Sequence, residues 1–201
     1  MVIKLYDSAL SGNCHKVRMM LGFLELPYEK INTEWARGEH LADRYRQVNP
    51  RAQLPAIDDD GLIVWDSQAI LVYLARQYGD KAWYPRNVVA ETRTIQWLMV
   101  ANEELQAIAQ ARVICLMKKG DSMLDFYQQK ATAGLDVLES RLNSAEWLTD
   151  NHPNIADVAC FPYTGLASQG GLELDAYPGI CSWIKRIKSL DNYTEMPGLE
   201  R

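Results

Sequence analysis

The sequence predicts two architectures in tandem: an α/β domain over residues 1–79 and an all-α helical bundle over 89–201, joined by a linker at 80–88. Three observations carry this. Strand-like apolar runs occur at 2–6 and 28–32 and on either side of Asp59-Asp60-Gly61, and nowhere beyond. Past Val88 the apolar residues recur at helical spacing. Between the two regions, Asp80-Lys81-Ala82-Trp83-Tyr84-Pro85-Arg86-Asn87-Val88 follows neither period.

The elements follow in order. Val2-Ile3-Lys4-Leu5-Tyr6 reads as a short buried strand. A loop from Asp7 to Gly12 leads to a helix over about 13–25, with Val17, Met20, Leu21 and Leu24 at helical spacing and Leu26-Pro27 as its stop. Tyr28-Glu29-Lys30-Ile31-Asn32 is a second strand, parallel to the first through a right-handed crossover. Glu39 to Tyr45 is a shorter helix. Asp-Gly between Ala56-Ile57 and Leu62-Ile63-Val64-Trp65 marks a hairpin. Asp66-Ser67 then opens an apolar helix, Ala69 to Leu74, that stops near Gly79. The order βαβ, α, ββα resembles that of thioredoxin-like folds.

In the second half, Ala90 to Lys118 reads as one long helix or two, ending at Gly120. Met123 to Asn143 is another, with Tyr127, Ala131, Leu135, Leu138 and Leu142 as its stripe. Asn154-Ile155-Ala156-Asp157 is a capping-box variant, which makes Asp157 a stability residue. Tyr177-Pro178-Gly179 starts a last helix carrying Ile180, Trp183, Ile184, Ile187 and Leu190.

Two places hold chemistry. The first is Gln53-Leu54-Pro55 with Asp66-Ser67. Pro55 cannot donate to a ladder and belongs at a strand's start, where a cis bond is expected and would turn the Leu54 N–H and C=O outward. A helix opening on Asp66-Ser67 offers free N–H groups and a hydroxyl to a carboxylate. The plainer reading is a hairpin followed by an ordinary capped helix. The second place is Leu10-Ser11-Gly12-Asn13-Cys14-His15. It occupies the loop where thioredoxin-like folds carry CxxC, but its first position is Ser11, so two-cysteine disulfide exchange is not available there. Ser11 either caps the helix or also donates to an anion. Cys14 reads as a packed first-turn residue, and His15 as facing solvent.

Together these motifs resemble the cytosolic glutathione S-transferases, specifically their serine-type (theta, zeta, tau) and bacterial members. The resemblance covers nearly the whole chain. It implies that Leu54, before a cis-Pro55, pairs with the cysteinyl backbone of glutathione, and that Asp66 and Ser67 hold its γ-glutamyl end. His40, in Gly38-Glu39-His40, and Gln53 would meet the glycyl end; without the resemblance, His40 reads equally as a solvent-exposed helix start. Ser11, six residues before Val17, would hold the thiolate, with Asn13 second and Cys14 third as candidates for the sulfur contact. A free thiol has a pKa of about 8.5, and lowering it by ~2 units takes about 2.7 kcal/mol, within reach of a charge-assisted hydrogen bond plus a helix N-terminal field. Ser11 would act as donor, not base. The second substrate would be a partly apolar electrophile, in a pocket between Leu10-Ser11 and the long helix, with Ile108, Arg112, Cys115, Met117 and Tyr163 as candidate walls. Arg112 is the most informative, because a buried arginine needs a partner. Glutathione is then the cosubstrate, no metal is implied, and a homodimer is the family's usual form.

Composition sets the outer bounds. The chain has 201 residues, 48% hydrophobic, with a formal net charge of −5, which argues against a nucleic-acid surface. No run approaches the ~18 apolar residues of a membrane span, and the N-terminus has no signal-peptide pattern. Cys14, Cys115, Cys160 and Cys181 are widely spaced, with no metal-ligand pattern, and suit a reducing cytoplasm. The same site would also serve a glutathione-dependent disulfide reductase or isomerase. A non-catalytic interaction protein would keep the fold and lose the binding.

Overall fold

The structure is a computed structural model that describes residues 2–117 and 121–201. Four strands form one mixed sheet: β1 (Ile3–Asp7), β2 (Tyr28–Asn32), β3 (Ala56–Asp59) and β4 (Leu62–Trp65), in the order β2-β1-β3-β4. β1 pairs parallel with β2, Leu5 opposite Lys30, and antiparallel with β3, Leu5 opposite Ile57. β3 and β4 are joined by Asp60-Gly61, both at positive φ (54° and 92°), and the Gly61 N–H donates to Asp58 Oδ1. Positive φ at both central residues is the primed turn that suits strand twist, hence the Asp-Gly pair.

Two helices pack on the sheet domain's core, α1 (Gly12–Phe23) and α3 (Ser67–Gln77). The shorter helix expected over Glu39–Tyr45 is broken up. Trp35–Arg37 and Glu39–Leu41 are single 3₁₀ turns and only Asp43–Arg46 (α2) is α-helical. Gly38 is left-handed (φ 71°), Ala42 is extended, and the Glu39 carboxylate accepts from the Glu34 N–H, closing a loop rather than opening a helix.

The helical half comprises α4 (Val88–Glu103), α5 (Gln106–Met117), α6 (Leu124–Leu142), α7 (Ile155–Gly165) and α8 (Pro178–Lys188). The open choice between one long helix and two resolves as two. α4 starts at Val88 because Asn87 caps it, its side chain accepting from the Ala90 N–H at 2.9 Å. The expected stop at Gly120 lies outside the described residues. At α7 the capping box is complete: Asn154 Oδ1 accepts from the Ala156 N–H, and Asp157 accepts from the Asn154 N–H. Asp157 also accepts from the Leu148 N–H and the Trp183 indole, so it ties the loop before α7 to α8. Burial pushes its carboxyl up to about 6, against those three donors.

α1 is the element both halves share. It packs on α3 and on α7, and Gly12 and every residue from Cys14 to Leu21 are buried. This corrects the expectation that His15 faces solvent. His15 is fully buried, its Nε2 lies 2.7 Å from the Thr194 carbonyl, and its ring abuts Phe161 and Tyr193. The cause is the chain after α8, which folds back over α1, where Thr194 Oγ1 also donates to the Arg18 carbonyl.

Burial holds the His15 imidazole down to about 4 from its ordinary 6.5. Its neutral form therefore contributes stability present above pH 6.5 and lost as pH falls through 4. We expect His15→Gln, which keeps a donor but does not titrate, to flatten this limb. Between pH 7 and 5 its unfolding free energy in urea should fall by about 2 kcal/mol less than that of the wild type. Parallel pH profiles would contradict the assignment.

Candidate active site

Ser11 stands at the junction of β1 and α1. It is the N-cap, with extended backbone, and its Oγ accepts from the Cys14 N–H at 3.2 Å. A hydroxyl carries one proton and two lone pairs. That contact uses one lone pair, and among the described residues nothing accepts the Ser11 proton. The hydroxyl is half-buried and remains a donor at a helix N-terminus.

The loop before Ser11 is held from beneath. Arg18 on α1 pairs with the fully buried Asp7 carboxylate and donates to the carbonyls of Ser8 and Ala9. Lys30 on β2 reaches the second Asp7 oxygen at 2.9 Å. Directly after Ser11, Gly12 lies against the Tyr163 ring, where a Cβ would sit 2.6 Å from the nearest ring carbon. Only glycine permits this approach.

Asn13 connects the parts. Its backbone N–H donates to the Tyr163 hydroxyl at 3.3 Å, its Nδ2 to Gln106 Oε1 at 3.3 Å, and its Oδ1 accepts from Ser67 Oγ at 3.4 Å. Ser67 is thus joined to the Ser11 loop through one side chain. Asp66 caps α3, its Oδ1 accepting from the Gln68 and Ala69 N–H groups while Oδ2 pairs with Arg51 at 3.0 Å. Asp66 has φ 77°, so a strained residue turns the chain from β4 into α3. The Leu54-Pro55 bond is cis. The Gln53 carbonyl accepts from the Tyr45 hydroxyl and the Asn49 amide, both at 2.7 Å. Among the described residues Leu54 makes no backbone hydrogen bond, and it is half-buried.

The structure therefore brings Ser11, Asn13 and Ser67 together, with Asp66 beside Ser67. It ties His40 to none of them. That residue is buried in its 3₁₀ turn, its ring stacked on Trp35 at 5.7 Å, and so does not face solvent as an isolated helix start would. On the helical side, Arg112 donates from Nη1 to the Leu10 carbonyl at 2.8 Å and from Nε to Gln169 Oε1. Leu10 and Met117 are exposed and Cys115 is half-buried. Ile108 is fully buried and belongs to the core rather than to an open wall. Tyr163 is also buried, and it meets the site through its hydroxyl on Asn13. Sequence reasoning missed Gln106, Arg51, Trp35 and Gln169. Only Arg51, two residues before Gln53, lay near enough to a motif to be noticed.

Three surface concavities of about 650, 780 and 490 Å³ lie elsewhere; the first is lined by Lys81, Arg86, Asn87 and Thr149 to His152. None of the three is lined by Ser11, Asn13, Leu54 or Ser67. Among the described residues no group of His, Cys, Asp or Glu is placed to hold a metal ion, and no helix is long and apolar enough to cross a membrane.

Comparison with known proteins fits this geometry. Residues 5–82 match the glutathione S-transferase N-terminal domain and residues 104–191 the glutathione S-transferase C-terminal domain. A glutathione S-transferase structure from Pseudomonas fluorescens superposes with a TM-score of 0.91 at 31% identity, over 98% of this chain and 99% of that one. The chain belongs to the glutathione S-transferase family. Rat glutathione S-transferase theta-1 is 28% identical over 94% of this chain and 83% of its own length. The disulfide-bond oxidoreductase YfcG of Escherichia coli is 27% identical over 94% and 91%.

A glutathione S-transferase needs an anion-stabilising donor, and Cys14 is not a rival thiolate here. It is fully buried, and burial, with the charge of Asp7, pushes its thiol up to about 12. We expect a thiol reagent at pH 8 to label the half-buried Cys115 and Cys181 in the native protein and to reach Cys14 and Cys160 only after denaturant is added. Fast native labelling of Cys14 would contradict this packing.

Proposed function

We propose that this protein activates the glutathione thiolate for attack on an electrophilic, partly apolar small molecule. The observation that carries the reading is the Ser11 hydroxyl, which accepts from the Cys14 N–H yet has its proton uncommitted, at the N-terminus of a buried helix packed on α3 and α7. A bound sulfur at that point accepts the Ser11 hydrogen bond and feels the α1 field, both of which favour the thiolate. Asn13, whose amide is engaged by Ser67 and Gln106, acts as a positioning residue and not as the sulfur's donor.

In this reading the Leu54 backbone, free of partners at the start of β3, pairs with the cysteinyl unit. Ser67 and the α3 N-terminus receive the γ-glutamyl carboxylate, with Arg51 alongside, and the Asp66 carboxylate retains lone pairs for the ammonium. His40 and Gln53 meet the glycyl end. The second substrate sits between Leu10 and α5, against Arg112, Cys115 and Tyr163. The Ser11 field lowers the barrier by keeping sulfur ionised, and no base is needed at the moment of attack. The protein works as a cytoplasmic homodimer. Its free thiols fit a reducing compartment, and the exposed Leu62, Ile63 and Trp65 on the edge strand β4, with Val88, Val89 and Met99 on α4, supply apolar surface for a second copy.

The likeness to YfcG favours one second reading, glutathione-dependent disulfide reduction on the same site. There the glutathione thiolate would attack a disulfide sulfur and release the other sulfur as a thiolate. The Ser11 loop has no second thiol to take part.

Turnover of an activated haloarene with glutathione tests the first reading. We expect Ser11→Ala to lower kcat about 10²-fold with glutathione affinity little changed, the size of losing one preorganised donor. Ser67→Ala should instead weaken glutathione binding about tenfold by calorimetry. Wild-type protein that does not bind millimolar glutathione would sink both readings.

A further inference from the structure

Arg112 is a buried charge that the protein leaves without a counterion. Its side chain is 8% exposed. Its two hydrogen-bonded partners, the Leu10 carbonyl and the Gln169 amide oxygen, are both neutral. None of the ion pairs among the described residues includes it. A guanidinium has five N–H donors in a planar fork, and these contacts use one on Nε and one on Nη1. Nη2 has no protein acceptor among the described residues.

Clamping Leu10 to α5 does not require a charge. A neutral amide could donate to the Leu10 carbonyl without the desolvation cost that a buried guanidinium carries. Burial indeed lowers the Arg112 pKa, as expected for a cation short of a compensating anion. The missing partner is therefore something that arrives. The Leu10 carbonyl is one residue from Ser11, so the fork stands next to the proposed thiolate position, on the side of α5. In the proposed glutathione placement both glutathione carboxylates lie elsewhere, one at Ser67 and one toward His40 and Gln53. What meets Arg112 is the second substrate.

We propose that Arg112 makes this site selective for electrophiles that carry a carboxylate, held by its free Nη2 edge while the reacting carbon faces the sulfur at Ser11. The inference rests on the glutathione-transferase reading and names the substrate class within it.

The test compares 4-chloro-3,5-dinitrobenzoate with 4-chloro-3,5-dinitrobenzamide. In both, the glutathione thiolate forms a bond to the ring carbon that bears chlorine, and chloride leaves with the electron pair. The two differ in the charge of the remote group. Relative to the uncatalysed rates with glutathione, wild-type kcat/KM should favour the carboxylate by about tenfold or more, the scale of a charge-assisted hydrogen bond in a partly dry site. In Arg112→Gln, which keeps a donor for Leu10, the carboxylate-to-amide ratio should collapse toward that of the uncatalysed reactions. Wild-type protein with no preference for the acid overturns the inference without reference to any variant. So does a variant in which both rates fall with the ratio preserved, which would make Arg112 a clamp for Leu10. Glutathione binding and turnover of the amide report on the transferase reading separately, so a failure of that reading is distinguishable from a failure of the acid preference.

Discussion

The buried pair between Asp7 and Arg18 is the constraint from which the site follows. Asp7 ends β1 and Arg18 lies in the second turn of α1, so the pair locks strand to helix across the loop between them. The same guanidinium holds the Ser8 and Ala9 carbonyls, which sets the path by which the chain reaches Ser11. Removing one member of such a pair leaves an uncompensated charge in the interior, a cost of about 3–5 kcal/mol. Lys30 adds a second cation to Asp7 from the neighbouring strand and ties the parallel β1–β2 pairing to the same point. The loop leading to Ser11 is thus held at three successive residues, Asp7, Ser8 and Ala9, although it has no regular structure of its own.

From that anchor the two halves are stitched together around one residue. Asn13 contacts α3 through Ser67, α5 through Gln106 and α7 through Tyr163. Arg112 adds a fourth tie from α5 to Leu10. The ends of α1 and α3 that carry positive partial charge therefore meet, Asn13 to Ser67, beside the uncommitted Ser11 proton. Beneath them, the fully buried Lys16 lies 5.4 Å over the Tyr163 ring with no hydrogen-bond partner for its amine among the described residues. Burial lowers the Lys16 pKa to about 8, and Arg112 places a second cation at the Leu10 carbonyl.

Local chemistry made much of this legible from the sequence. Asp60-Gly61 specifies its turn because both residues tolerate positive φ, and Asn154 and Asp157 specify their box because cap and N3 lie three residues apart. Ser11 and Asp66-Ser67 were visible as helix starts for the same reason. The polar face of α1 was not. Helical spacing marks one apolar stripe, at Val17, Met20, Leu21 and Leu24, and leaves His15, Lys16 and Arg18 looking like a solvated face. His15 and Lys16 are covered by α7 and the tail around Thr194, far along the chain, and Arg18 is buried on Asp7. Gln106, Gln169 and Arg51 escaped notice because their partners are set by tertiary packing, which no local period encodes. The single helix expected over Glu39–Tyr45 failed because Gly38 and Ala42 take non-helical backbone within a run too short to propagate.

In the proposed mechanism the Ser11 corner lowers the pKa of a bound thiol. The most direct measurement is the ultraviolet thiolate absorbance of glutathione bound to the protein, followed against pH, for the wild type and Ser11→Ala. The bound thiol in the wild type should titrate about 2 units below its free value of about 8.5, and should move back toward that value in the variant. A bound thiol that titrates like free glutathione in the wild type, or a lowered value that Ser11→Ala leaves in place, would contradict it.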